Sequence, residues 1–224
     1  MSDSRALVAE AIVATRIHPP ARFTWFGRLS PRLPARVAQA MSARATRDHL
    51  ACADRPMDTA RSRRIVRLYW NLRADGAAPF VAAGTRLLNR AGAAFRLKVL
   101  NRPDAFTRCD AAVVYLARDD YPALADLLLA LHAEVGGFLS PRTPVFTAEL
   151  APGLGLAEDP GTAESFGEHR CRLLADAFVR SHESGWTDDA ATLAAVEARF
   201  ARDGVDLDAP HLSPDPAADP VPVR

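Results

Sequence analysis

The sequence predicts an α+β fold: a ferredoxin-like βαββαβ antiparallel sheet core with additional N- and C-terminal helices. Three observations carry this. Two-residue apolar alternation over 65–72 and again over 95–99 marks strands that bury one face. Apolar residues at helical spacing fill 77–91 and 121–135. In chain order these patterns read β-α-β-β-α-β, which closes as an antiparallel sheet with two helices on one face.

Residues 4–16 read as a helix striped by Leu7, Val8, Ile12 and Val13, and Pro19-Pro20 stops it. Phe23, Trp25 and Phe26 sit in an irregular connection. Ser30-Pro31 caps and opens a further helix to about Ala51, with a weak apolar face of Val37, Met41 and Leu50. Residues 1–60 therefore read as a helical cover. In the first core strand Val66, Leu68, Trp70 and Leu72 share one face; Ile65, Arg67, Tyr69 and Asn71 share the other. Asp75-Gly76 turns the chain into a helix with Phe80, Val81, Leu87 and Leu88 inward, ended by Gly92. Phe95, Leu97 and Val99 then alternate with Arg96 and Lys98. Asn101-Arg102-Pro103-Asp104 makes a turn, and Ala111–Ala117 forms the third strand. Tyr121-Pro122 starts a helix with Leu124, Leu127, Leu128 and Leu131, and His132 sits near its end. Gly136-Gly137 breaks it, and Val145–Leu150 is the last short strand.

Residues 151–164 read as a long glycine-containing loop without a Walker-type lysine, so it does not fit an NTPase phosphate loop. Ser165-Phe-Gly-Glu168 is a capping box. It opens a helix to about Ser181, and Asp189–Ala201 forms another, striped by Leu193, Val196 and Phe200. From Pro210 the composition predicts a disordered tail. The organisation is thus 1–60 cover, 61–209 core with its C-terminal helices, and 210–224 tail.

Apolar residues make up 49% and charged residues 25%, as in ordinary globular proteins. A net charge of +1 argues against a general nucleic-acid binder. Cys52, Cys109 and Cys171 lack paired metal spacing, which fits a reducing cytoplasm. The N-terminus carries no signal-peptide pattern, and no apolar run reaches membrane-spanning length.

If the helices cover the apolar rows, the other sheet face shows Arg67, Tyr69, Asn71, Arg96 and Lys98, with Tyr115 joining from the third strand. Lys98 is the only lysine among 28 Lys plus Arg. Arginine stays protonated and makes a poor base, whereas a lysine amine can lose its proton near other cations or on burial. The plain alternative is a solvated strand residue. His169, Arg170 and Arg172 stand in the first turns of the Ser165 helix, whose free N–H groups favour an anion. The plain alternative there is Arg172 paired to Glu168 at i, i+4.

Tyr69-Trp-Asn-Leu72, Phe95–Lys98, Arg108-Cys-Asp-Ala-Ala-Val-Val-Tyr115, Phe146-Thr147, Ala151-Pro-Gly-Leu-Gly-Leu-Ala-Glu158 and Ser165-Phe-Gly-x-x-Arg170 occur in this order. As a set, over about 61–182, they resemble the HopA-type effector family. Bacterial members of that family sit beside kinase-like proteins in class V lanthipeptide and thioamitide pathways. The resemblance implies a phosphothreonine-lyase-like activity on a kinase-phosphorylated precursor peptide, giving dehydroalanine or dehydrobutyrine. It implies a kinase-like partner and a leader-core peptide, and no cofactor. Two positions depart from the lyase pattern. Arg67-Leu-Tyr69 stands where those lyases have Lys-x-His, and Ala148 stands where many relatives have lysine.

β-Elimination needs a base for the α-proton, cations for the phosphate and a donor for the leaving oxygen. Lys98 is the expected base. Arg67, Arg96, Arg108, Arg170 and Arg172 are the expected phosphate ligands. His169 is the expected acid, with Tyr115 or Tyr69 as rivals. Two other readings stand beside this one: a non-catalytic partner that binds the kinase or leader peptide, and a single-stranded RNA binder with stacking aromatics.

Overall fold

The computed structural model describes residues 5, 15–18, 22–25, 28–30, 64–185 and 188–214. The fold is α+β, and the chain parts into two compact units. One joins Met1–Arg44 with Thr162–Ala217; the other joins Ala45–Gly161 with Ala218–Arg224.

The first unit opens with β1 (Thr15–His18), β2 (Arg22–Trp25) and β3 (Arg28–Ser30), a three-stranded antiparallel sheet. This corrects two expectations. The helix expected over 4–16 reaches Thr15 and Arg16, which lie in β1. The irregular connection expected at Phe23 and Trp25 is β2, where Ile17 pairs with Phe23 and Thr15 with Trp25. Alternating large residues here follow a strand period, not a loop. The helix expected over 30–51 lies outside the described residues.

The second unit holds the main sheet. Its elements are β4 (Ile65–Trp70), α1 (Ala77–Arg90), β5 (Phe95–Val99), β6 (Ala112–Ala117), α2 (Tyr121–Val135), β7 (Ala148–Ala151) and β8 (Leu154–Glu158). The strand order is β5-β6-β4-β8-β7, and every described pairing within it is antiparallel. Without β7 this is the ferredoxin-like order, with β8 rather than β7 beside the central β4. The apolar rows behave as the alternation requires: Val66, Leu68, Trp70, Phe95 and Leu97 are fully buried, alongside Val114, Leu116, Leu154 and Leu156. Phe80 and Leu88 of α1 and Leu128 and Leu131 of α2 complete this core. The Trp70 and Phe80 rings meet at 5.1 Å. Truncating such a buried aromatic to alanine typically costs about 3–5 kcal/mol.

The segment 151–164 is a further correction. It is not one loop: Leu154–Glu158 is a fully buried strand that pairs along most of β4. Gly153, at φ 77°, turns β7 into β8, and its backbone lies so near Ser140 O that an added Cβ would sit 2.4 Å away. Asn71, expected on the polar face, instead holds this end together. Its side chain donates to Arg142 O at 2.9 Å, and its N–H donates to Gly153 O at 2.9 Å. His132, in the last turn of α2, bonds Pro152 O at 2.9 Å.

Back in the first unit, α3 (Phe166–Glu183) and α4 (Asp189–Arg202) bury Leu173, Leu174, Ala177 and Phe178 with Val196 and Phe200. The capping box at the start of α3 forms as expected: Glu168 N–H donates to Ser165 Oγ, and Ser165 N–H donates to Glu168 Oε2. Pro210 is buried, so the chain is still packed where the tail was expected to begin; residues from 215 on lie outside the described ones.

Candidate functional site

The polar face of the main sheet is ordered by register. One row runs Arg96, Tyr115, Arg67, Ala157 across β5, β6, β4 and β8. The next runs Lys98, Val113, Tyr69, Gly155. Directly opposed residues share a face, so sequence alternation becomes a two-row array.

The array is not uniformly open. Over β4 and β8 it is covered: Tyr69 and Thr147 are buried, and Ala157 is inaccessible. Thr147 Oγ1 lies directly above Gly155, where an added Cβ would come within 2.6 Å of it. Thr147 also donates to Pro144 O at 2.7 Å. Its neighbour Phe146 is buried at φ 68°, a left-handed backbone that non-glycine residues seldom adopt. Over β5 and β6 the face is open. Arg96 is exposed, and Lys98 and Tyr115 are half-buried.

Tyr115 is the centre of the open part. Lys98 Nζ lies 5.1 Å from its ring centre, and the guanidinium carbons of Arg67 and Arg96 lie at 5.5 and 5.6 Å. Each distance falls within cation–π range. The cations differ in what else they touch. Arg67 donates through Nε to Asp159 Oδ2 at 2.8 Å and again through Nη2, in a pair largely shielded from solvent. Burial opposes its charge, but the neighbouring Tyr69, Asp159 and Tyr115 outweigh it and raise its pKa. Burial in turn pushes the Tyr69 phenol up, against the pull of Arg67, so it stays protonated. Arg108, just before β6, donates to both oxygens of Asp110 at 2.8 and 2.5 Å. Its Nη1 is buried with no hydrogen-bond partner among the described residues. Lys98 and Arg96 have no carboxylate partner among the described residues. The structure therefore brings Arg67, Arg96, Lys98 and Tyr115 together.

His169, Arg170 and Arg172 belong to the other unit, and each is engaged there. Arg170 is fully buried. It donates to Pro210 O at 2.8 Å and Leu212 O at 2.7 Å, with its guanidinium 5.0 Å over the Phe166 ring. Its Nη1 donates to His169 Nδ1 at 2.7 Å, which leaves the imidazole proton on Nε2, 3.7 Å from Asp203 Oδ2. Burial, then Arg170 and Arg172, lower the His169 pKa. Arg172 pairs with Glu164 at 2.8 Å and Asp176 at 3.5 Å rather than with Glu168, which is spent on the capping box. Arg172 holds the Glu164 carboxyl below its ordinary range. The Cys171 thiol is pushed up to about 12 by burial, which makes it inert.

Sequence reasoning missed Asp159, Asp110 and Thr147. Asp110 lay in plain view two residues from Arg108. Asp159 is 92 positions from its partner and becomes visible only once β8 is recognised as a strand.

No curated protein matches this chain. Solved structures that share its fold include two effectors. One is the effector protein from Pseudomonas syringae pv. tomato strain DC3000, with TM-score 0.55 and 23% identity over 70% of this chain and 58% of that one. The chain thus spans little more than half of that effector's length. The other is the effector protein from Pseudomonas syringae pv. syringae strain 61, with TM-score 0.52 and 16% identity over 93% of this chain and 95% of that one. The model of the HopA1 effector protein family matches residues 40–212, most of the chain, sheet array included. The chain is a member of the HopA1 effector protein family.

Proposed function

We propose that this chain is a phosphoserine/phosphothreonine lyase acting on a precursor peptide. The observation that carries the reading is the pair of β5 cations without carboxylate partners among the described residues, Lys98 and Arg96, beside the half-buried Tyr115 ring. Arg96, which is exposed, is available to a phosphate. Lys98 takes the α-proton, the electron pair forms the Cα–Cβ double bond, and the Cβ–O bond breaks. Phosphate leaves with that bond's electrons, and Tyr115 donates a proton to it. The product is dehydroalanine or dehydrobutyrine. Arg67, held by Asp159, keeps the Tyr115 ring in place from the opposite side. The expected donor His169 has its proton directed at Asp203, so Tyr115 is the stronger candidate. By the family resemblance, a kinase-like protein supplies the phosphorylated peptide.

A second reading is favoured by Arg67, Arg108, Arg170 and Arg172 each being bonded within the chain, which leaves few guanidiniums for a phosphate. In that reading the face only docks the kinase or its peptide. Incubation with a phosphothreonine peptide, followed by mass spectrometry, separates the two. Loss of phosphoric acid with formation of the alkene supports the lyase. Binding without mass loss, with and without the kinase, rejects it in favour of docking.

A further inference from the structure

We propose that the outer edge of β5 receives the substrate as one more antiparallel strand, an inference that rests on the lyase reading above. The occupant is an extended phosphopeptide. β5 ends the sheet order and pairs with β6 alone among the described strands, over five residues without a bulge. The opposite edge, β7, is a poorer template. It has four residues and a register break between Glu149 and Ala151, and bulged short edges resist strand addition.

The phase of the ladder fixes what such a peptide would present. Leu100 N–H donates to Ala111 O at 2.9 Å. Alternation then turns the backbone groups of Lys98 and Arg96 toward β6, and those of Phe95, Leu97 and Val99 outward. In an antiparallel addition, peptide residues opposite Leu97 and Val99 exchange main-chain hydrogen bonds with them. The residue between falls opposite Lys98, in a non-hydrogen-bonded pair where Cβ atoms stand about 4.5–5.5 Å apart. That residue shares the face of Lys98, Arg96 and Tyr115. A phosphoresidue there carries about −1.5 to −2 charge toward the two cations that lack carboxylate partners among the described residues. Main-chain pairing would supply affinity and the alternating side chains specificity, as in other strand-addition complexes.

Charged side chains on an edge strand also deter unwanted pairing, so the test must read the backbone. A fluorescein-labelled nonapeptide with one central phosphothreonine is N-methylated in turn at the phosphothreonine, the residue before it and the residue after it. Binding is followed by anisotropy and elimination by mass, on the full chain. The expected result is at least a tenfold loss of binding for methylation at either neighbour, with little change at the phosphothreonine. The pattern in binding without elimination keeps the docking mode and sinks the lyase reading. Elimination that ignores the methyl position sinks the docking mode and keeps the lyase. Absence of binding overturns the proposal. So does a concentration-dependent dimer of the chain that the peptide does not displace.

Discussion

Lys98 Nζ lies 5.1 Å from the centre of the Tyr115 ring, across the β5–β6 pairing. Arginine at 98 keeps the charge and most of the reach but supplies no free amine near neutrality. Lys98→Arg should therefore lower phosphate release by about 10²–10⁴. A mere phosphate ligand would lose nearer tenfold, about 1.4 kcal/mol. Turnover at saturating phosphothreonine peptide checks this, with folding followed by circular dichroism. Near-native turnover removes Lys98 from the base role.

Tyr115→Phe tests the proton donor proposed for the same ring. Phenylalanine keeps a ring for Arg67, Arg96 and Lys98 to contact but removes the hydroxyl. The expected outcome is a fall in kcat of about 10² or more with KM nearly unchanged. A rise in KM at constant kcat would mean that the hydroxyl only binds phosphate.

The Arg67–Asp159 pair should hold β4 to the end of β8. Asp159→Leu leaves a shielded guanidinium uncompensated, and loss of one partner from such a pair costs about 3–5 kcal/mol. Replacing both residues with apolar ones should recover most of that. Urea unfolding of the single and double variants measures it. An additive double variant would show that the pair carries no coupling.

Much of this sheet was legible because its faces differ. Val66, Leu68 and Trp70 against Arg67 and Tyr69 is an unmistakable period of two, and so is Phe95, Leu97 and Val99 against Arg96 and Lys98. β8 was illegible because both its faces are buried. Its alternation is Leu154 and Leu156 against Gly155 and Ala157, large against small instead of apolar against polar. A glycine in such a run, with Pro152-Gly153 just before it, reads as loop. Charge pairing was illegible for another reason. Composition shows how many arginines a chain has, while long-range folding decides that Arg67 meets Asp159 and that Arg96 meets no carboxylate among the described residues.

Gly155→Ala should strain the covered half of the array. The added methyl would lie 2.6 Å from Thr147 Oγ1, and overpacking of this kind typically costs about 1–3 kcal/mol. Gly155→Ala combined with Thr147→Ala should regain part of the loss by removing the obstructing hydroxyl. Thermal unfolding of the three variants decides it, and no regain would place the strain elsewhere.

His169 should give stability a slope in mild acid. Its pKa is lowered from 6.5 in the fold, so the unfolded chain takes up the proton first. The contribution is fully present above about pH 6.5 and is lost as pH falls toward the lower folded value. Asp203 and Glu164, also held low, titrate in a more acidic window. The thermal midpoint of the wild type should therefore drop between pH 7 and 5, and His169→Gln should flatten that drop. Equal slopes in both proteins would contradict it.

Arg170 grips the chain chiefly by main-chain oxygens, those of Pro210 and Leu212. A carbonyl is the same on every residue, and proline, which has no N–H to give, still offers one. A latch of this sort is indifferent to spelling. The residues it holds are free to drift in side chain over generations while their route across α3 is preserved. It fixes where the chain goes and leaves open what it is made of.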